Sequence, residues 1–239
     1  MNASGTVATS SEREREREQG ENASAPRTSL RQREMRFPLL LLLALVFADF
    51  ALLGIEAANR ASGLYLPALL LEAEANIPTW FSVVQLFSVG VLAAVLAGTT
   101  TGRLRLAWAV IALGFMALSL DDGAALHERI DEALAREGSP AVWPVIFFVP
   151  GVVVLYALWT SLDDVRRRFP PARTLLIAGV GLLALAVVVD TFLPAVLSPD
   201  TPEIRTGASI EELLEMLGAS LMIGAFLSAL WASVRLRRA

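Results

Sequence analysis

Six apolar stretches, each about 20 residues long, dominate this sequence and limit the folds that it can adopt. At about 1.5 Å per residue, each stretch can cross a hydrocarbon core roughly 30 Å thick. In a chain of this pattern, only a helix satisfies its own backbone hydrogen bonds inside lipid. We therefore predict an all-α, polytopic membrane protein, a bundle of six transmembrane helices. The spans are expected near 37–57, 79–99, 104–121, 141–160, 173–193 and 213–234. The mean hydropathy of +0.57 agrees with this class.

The segment before the first span differs sharply in composition. Residues 1–35 carry few large apolar side chains, so they cannot bury enough surface to offset the entropy of ordering. We predict a disordered, charged cytoplasmic tail over 1–35 and a six-helix transmembrane domain over 36–239. An alternative is that the apolar segment from Met35 is a signal peptide. Its apolar part is long for that role and contains Asp49, which favours a retained first span.

The arginines near the spans are segregated between alternate connections. One group flanks the first span, the second and fourth connections and the end of the last span: Arg31, Arg33, Arg36, Arg103, Arg105, Arg166, Arg167, Arg168, Arg173, Arg235, Arg237 and Arg238. The other connections hold only Arg60, Arg129, Arg136 and Arg205. By the positive-inside rule, this pattern predicts a multi-pass protein of the bacterial inner membrane with both termini in the cytoplasm. Its surroundings are then the lipid bilayer, and we expect no nucleic-acid partner.

Three residue types that support common cofactors are scarce in the chain. It has no lysine, which excludes a retinal Schiff base and PLP chemistry. It has no cysteine, which excludes a Cys-ligated metal. The one histidine is too few for a His-rich zinc or copper site. We expect no haem either, and the metals that remain are those that prefer oxygen ligands.

Acidic residues gather at the predicted extracytoplasmic ends of the spans, above all in SLDDGAALHERIDE over 119–132. Asp49 and Asp190 fall inside the bilayer by helical rise, where an acid costs roughly 2.5 to 3.5 kcal/mol. Asp49 and Glu56 are seven residues apart and share a helix face. If the third helix continues past Asp121, then Glu128 lies on the same face as Asp121. The candidate cation ligands are Asp49, Glu56, Asp121, Asp122, His127, Glu128, Asp190 and Glu215.

Ordinary structural roles compete for several of these acids. Asp122 could N-cap a short amphipathic surface helix, and Ser209 with Glu212 fits a capping box at the start of the sixth span. An arginine such as Arg60 or Arg129 could pair with one of the acids. The second span adds the neutral polar residues Ser82, Gln85 and Ser88 in its outer half. Glycines in three spans predict close helix approaches: Gly90, Gly179, Gly181, Gly218 and Gly224.

The segment LDDGAALHE resembles a pattern of bacterial multi-pass membrane proteins to which no activity is assigned. In that pattern, Leu-Asp-acid is followed by Leu-His-Glu, and a later helix begins with clustered glutamates. The matching positions here are Leu120, Asp121, Asp122, Leu126, His127 and Glu128, then Glu211, Glu212 and Glu215. A membrane hydrolase of the alkaline ceramidase kind is excluded, because that family needs several histidines for zinc.

Three hypotheses for function follow from the acidic cluster. The first is that it binds a cation, either Ca²⁺, Mg²⁺ or Mn²⁺ or protons shared among carboxyls, in a transporter or ion-coupled permease. The second is a metal-assisted membrane enzyme acting on a lipid or envelope precursor, with His127 or Glu128 as acid or base. The third is a non-catalytic assembly or sensory partner. The spans show no obvious internal repeat, so a homodimer could supply the second half that many transporters have.

Overall fold

The computed structural model describes residues 36–71, 73, 75–126, 129–130, 133, 143–196 and 201–236. Six long helices make up most of this part: α1 Arg36–Ala61, α2 Ile77–Gly98, α3 Gly102–Ala124, α4 Trp143–Arg168, α5 Pro170–Val196 and α6 Pro202–Leu236. A single 3-10 turn, Pro67–Leu69, lies between α1 and α2. All six helices are long and apolar enough to cross a membrane, and the described residues contain no strand. The all-helical, six-span prediction is confirmed.

Successive helices run in opposite directions, so the bundle has two ends. Ser119 on α3 donates a hydrogen bond to the carbonyl of Val83 on α2, and Trp108 on α3 donates one to Asp164 near the end of α4. We call the end at which α1 finishes and α2 begins the Glu56 end. The opposite end, at which α4 finishes and α5 begins, is the Arg168 end.

Helix α6 is the centre of the bundle. It packs against α1, α2, α4 and α5. Within the apolar 18-residue stretch of α6, 67% is buried, against 11% for the corresponding stretch of α1. The core at α6 includes Phe226, whose ring meets that of Trp108 on α3 edge to face at 5.1 Å. Helix α1 is therefore peripheral, and its main neighbour among the long helices is α6.

Glycines allow the closest helix contacts, as predicted. A Cβ atom on Gly179 of α5 would lie 2.8 Å from the carbonyl oxygen of Gly218 on α6. A Cβ atom on Gly90 of α2 would lie 3.1 Å from the carbonyl oxygen of Ala112 on α3. The first separation is too short for a real Cβ atom and the second is tighter than most, so both crossings favour glycine. The exception is Gly181, which has nothing within 4 Å of its Cβ direction.

One local prediction at a helix end is wrong. Helix α6 begins at Pro202 rather than near 213, so Ser209 lies inside the helix and cannot start a capping box. The N-cap hydroxyl is that of Thr201, which accepts a hydrogen bond from the backbone N–H of Ile204 at 3.3 Å. Helix α6 extends further because its first turns also pack, with Gly207 lying against Leu193 of α5.

The sequence left open whether α3 continues past Asp121 into the acidic segment. Helix α3 ends at Ala124, because Ala125 takes a left-handed conformation with φ 48° and ψ 46°. The N–H of Ala125 then closes the helix on the carbonyls of Asp121 and Asp122. The continuous helix that would align Asp121 with Glu128 is therefore interrupted.

Candidate functional site

A buried cluster of three polar side chains links α1, α2 and α6, and we call it the Asp49 cluster: Asp49, Gln85 and Ser220. Gln85 Nε2 donates to Asp49 Oδ1 at 2.8 Å and to Ser220 Oγ at 2.9 Å. Ser220 Oγ donates to Asp49 Oδ2 at 2.8 Å. The exposed fractions of the three residues are 0%, 2% and 0%. The carboxyl group is thus closed off from solvent and held by neighbours from two other helices.

The donors of the Asp49 cluster are fully used, whereas one acceptor is not. Both amide protons of Gln85 and the hydroxyl proton of Ser220 go to partners inside the cluster. Gln85 Oε1 is buried and has no hydrogen-bond partner. An unmet buried acceptor is unfavourable by about 1 to 3 kcal/mol, so a native structure needs a reason to keep one.

The fold brings the cluster together through small residues on α6. Ser220 lies one helical turn from Gly224, where a Cβ atom would come within 3.1 Å of the methyl groups of Leu42 on α1. The two helices therefore approach closely just beside the aspartate. Asp49 lies in the middle of α1, Arg36–Ala61, so its carboxyl group is far from both ends of the apolar span. Its two hydrogen-bond partners, Gln85 and Ser220, are neutral.

Glu56 occupies a different environment, two helical turns further along α1. Its Oε1 receives hydrogen bonds from Arg60 at 2.7 Å and from Ser209 Oγ of α6 at 2.8 Å. The Arg60 side chain remains 28% exposed. Arginine pairing therefore accounts for Glu56, and it does not extend to Asp49.

The remaining predicted ligands that the structure describes lie on three different helices. Asp121 and Asp122 lie in the last turn of α3 and are half-buried, Glu215 is half-buried on α6, and Asp190 is exposed on α5. His127 and Glu128 lie outside the described residues. Within the described ranges, no three Asp, Glu or His side chains come together to hold a metal ion. The eight-residue metal assignment stays a prediction.

Sequence reasoning missed a second, partly buried polar cluster at the Arg168 end, which we call the Asp164 cluster: Thr99, Trp108, Asp164, Arg168 and Ser233. Asp164 Oδ2 accepts from Arg168 Nε at 2.8 Å and from Trp108 Nε1 at 3.2 Å. Arg168 Nη1 donates to Ser233 Oγ at 2.6 Å and to Thr99 Oγ1 at 3.1 Å. The i,i+4 spacing of Asp164 and Arg168 was a signal in the sequence for the ion pair alone.

Comparison with known families shows where the chain belongs. The model of a family described as Domain of unknown function (DUF8692) matches residues 38–230. The chain belongs to this family. The matched range contains the whole Asp49 cluster and all of the Asp164 cluster except Ser233. Comparisons with curated proteins and with solved structures found no match.

Proposed function

We propose that this DUF8692 protein binds a proton at Asp49 and works as a proton-coupled permease. The observation that carries the proposal is the position of Asp49, fully buried in the middle of a span and held only by the neutral groups of Gln85 and Ser220. An acid inside a bilayer is unfavourable and, where it occurs, commonly marks an ion or proton pathway.

The chemistry around Asp49 favours a proton over a divalent metal. Ca²⁺ takes six to eight oxygen ligands and Mg²⁺ near-octahedral geometry. Asp49 has one amide and one hydroxyl group beside it, and the described residues contain no group of three or more Asp, Glu or His side chains that could hold a metal ion. A single carboxyl with two neutral neighbours matches the needs of a single proton.

Proton binding would change how α1 is attached to the bundle. In the charged state, the three donors of the cluster are all used, and the carboxylate only accepts. A protonated carboxyl adds a fourth donor, so at least one hydrogen bond must rearrange. Because α1 is peripheral, the altered bonds lie between a peripheral helix and the central ones. Proton uptake would in this way move α1 relative to the central helices.

We place the protein in the bacterial inner membrane with both termini in the cytoplasm. The arginines of the α2–α3 and α4–α5 connections support this orientation, since they lie at the Arg168 end, to which both termini of the bundle also belong: Arg103, Arg105, Arg166, Arg167, Arg168 and Arg173. The Glu56 end then faces the outside of the cell. A homodimer would bring a second six-helix unit, and its lateral surroundings would be lipid.

The test is proton uptake by purified full-length protein. Infrared difference spectra over a pH titration report a buried carboxyl group, and a pH-sensitive dye inside proteoliposomes reports flux. Asp49→Asn should remove both signals. Asp163→Asn is the matched control, because the Asp163 side chain is 68% exposed and pairs only with Arg166 at the surface. An unchanged titration and unchanged flux in the Asp49 variant would refute the proposal, as would thermal stabilisation by Ca²⁺, Mg²⁺ or Mn²⁺ that depends on Asp49.

A further inference from the structure

A groove of about 450 Å³ lies between α1 and α2. Leu41 and Leu45 of α1 form one wall, Val84 and Phe87 of α2 belong to the other, and Ile223 belongs to α6. The volume falls within the range of small-molecule sites, roughly 300 to 1,000 Å³. Its lining is almost entirely apolar, so it suits a hydrocarbon chain.

The groove opens on the outer surface of the bundle. Phe87 and Val84, which line it, are 52% and 40% exposed. Both belong to α2, a helix apolar enough to span a membrane, so the opening faces lipid. A ligand would therefore reach the groove from within the bilayer rather than from water.

One lining residue, Gln85, connects the groove to the Asp49 cluster. Gln85 is 2% exposed, and its Oε1 has no hydrogen-bond partner. Its Nε2 is the group that covers Asp49 Oδ1, at 2.8 Å. A carboxylate with two neutral hydrogen-bond partners is thus separated from an apolar groove, open to lipid, by the amide group of Gln85.

From this arrangement we infer that the groove binds a primary amine with an apolar chain, taken up as its ammonium ion, and that such amines are the substrate class of the permease. The inference rests on the proposed function. The ammonium supplies the positive charge that complements Asp49, and the groove takes the chain. Charge-assisted hydrogen bonds between an ammonium and a carboxylate are stronger than neutral ones.

The hydrogen-bond inventory matches an ammonium group. When the Gln85 amide rotates so that Oε1 replaces Nε2 at the cluster, the two Nε2 hydrogen bonds to Asp49 and Ser220 break. Three acceptors then become open together: Asp49 Oδ1, Ser220 Oγ and Gln85 Oε1. A primary ammonium has three N–H donors and no acceptor. The acceptor without a partner, Gln85 Oε1, thereby gains a function, because it receives one of these donors.

Amine and proton would compete for the same carboxyl. When the ammonium binds the protonated site, which holds no amine, the Asp49 O–H bond breaks, the proton leaves to water, and the carboxylate pairs with the ammonium. Charge is conserved, since one cation replaces another. Uptake of the amine is thus exchanged for release of one proton.

The first experiment measures binding of hexylammonium chloride to the full-length protein in nanodiscs by calorimetry, with 1-hexanol as the neutral probe of equal chain length. Wild-type protein should bind the ammonium about tenfold more tightly than the alcohol. Asp49→Asn should remove that preference and leave 1-hexanol binding unchanged. Equal affinities of the wild-type protein for the two probes would overturn the inference.

The second experiment separates the groove from the proton site with two matched variants. Val84→Trp should fill the groove and weaken hexylammonium binding about tenfold, while the pH titration of Asp49 persists. Val95→Trp is the control, because Val95 is on the same helix, is 49% exposed and does not line the groove. Equal hexylammonium binding in the two variants would reject the groove as the site.

A pH indicator distinguishes failure of this inference from failure of the proposed function. Proton uptake that depends on Asp49, together with no hexylammonium binding, would overturn the amine inference alone. Amine binding that depends on Val84 and Asp49, without any Asp49-dependent proton signal, would support the groove as an amine site and refute the proton-coupled permease.

Discussion

Asp49 and Asp164 are both buried aspartates on membrane-spanning helices, and each joins its helix to others, yet their charges are compensated differently. Asp164 has a guanidinium group one turn away, with Arg168 Nε at 2.8 Å. Asp49 has only the amide of Gln85 and the hydroxyl of Ser220. A charge matched by a fixed arginine holds structure in place. A charge matched only by neutral groups can exchange its proton or pair with a ligand.

The two clusters also differ in what they attach. The Asp164 cluster ties the α2–α3 turn, α3 and α6 to the end of α4 through Thr99, Trp108 and Ser233. The Asp49 cluster attaches the peripheral helix α1 to α2 and α6. One end of the bundle is therefore locked by a charged network, whereas the attachment of α1 in the middle of its span depends on a group that can change its charge.

The largest expected effect is that of Asp164→Ala. This change leaves the Arg168 guanidinium, whose side chain is only 13% exposed, without its carboxylate. We expect a loss of about 3 kcal/mol in the free energy of unfolding, measured by denaturant titration in mixed micelles. Asp164→Leu combined with Arg168→Met removes both charges and should recover most of the loss. A single variant as stable as the wild type would show that the pair contributes nothing.

The same substitution, Asp→Asn, should lower the free energy of unfolding more at Asp164 than at Asp49. This effect is of intermediate size among the predictions. Asp164→Asn should cost about 2 kcal/mol, because Arg168 loses its charged partner. Asp49→Asn should change stability by less than about 1 kcal/mol, because its partners are neutral and the amide oxygen still accepts a hydrogen bond. The same unfolding titration measures both. Equal losses would mean that the contrast in charge compensation has no energetic consequence.

The smallest expected effect is that of Ser220→Ala, about 0.6 kcal/mol, which is typical of a single hydrogen bond between membrane helices. Its functional effect should be larger than its structural one, because Asp49 Oδ2 loses its donor and the infrared band of the carboxyl should move. Ser228→Ala, on the same helix and also buried, is the control and should leave the band in place. An unmoved band in the Ser220 variant would contradict the proposed geometry.

The candidate site was only partly predictable. Asp49 and Gln85 could be singled out because a polar side chain in an apolar span is visible in the sequence. The idea of one acidic cavity used charge and depth, which do not reveal the direction of a side chain around its helix. The structure places Asp190 on an exposed surface and pairs Glu56 with Arg60. Asp164 was overlooked because it lies in an arginine-rich segment that resembled an ordinary helix end.

The sequence by itself determined the six spans, because the length and apolarity of a segment decide whether it can cross a hydrocarbon core, and both are local properties. Helix ends such as those of α3 and α6 depended on tertiary packing and on one left-handed residue. The partners of Asp49 are decided by the tertiary structure alone, since they lie 36 and 171 positions away along the chain. Whether a buried acid meets an arginine or a neutral amide depends on which helix faces pack together, and this packing brings together residues that are distant in the sequence.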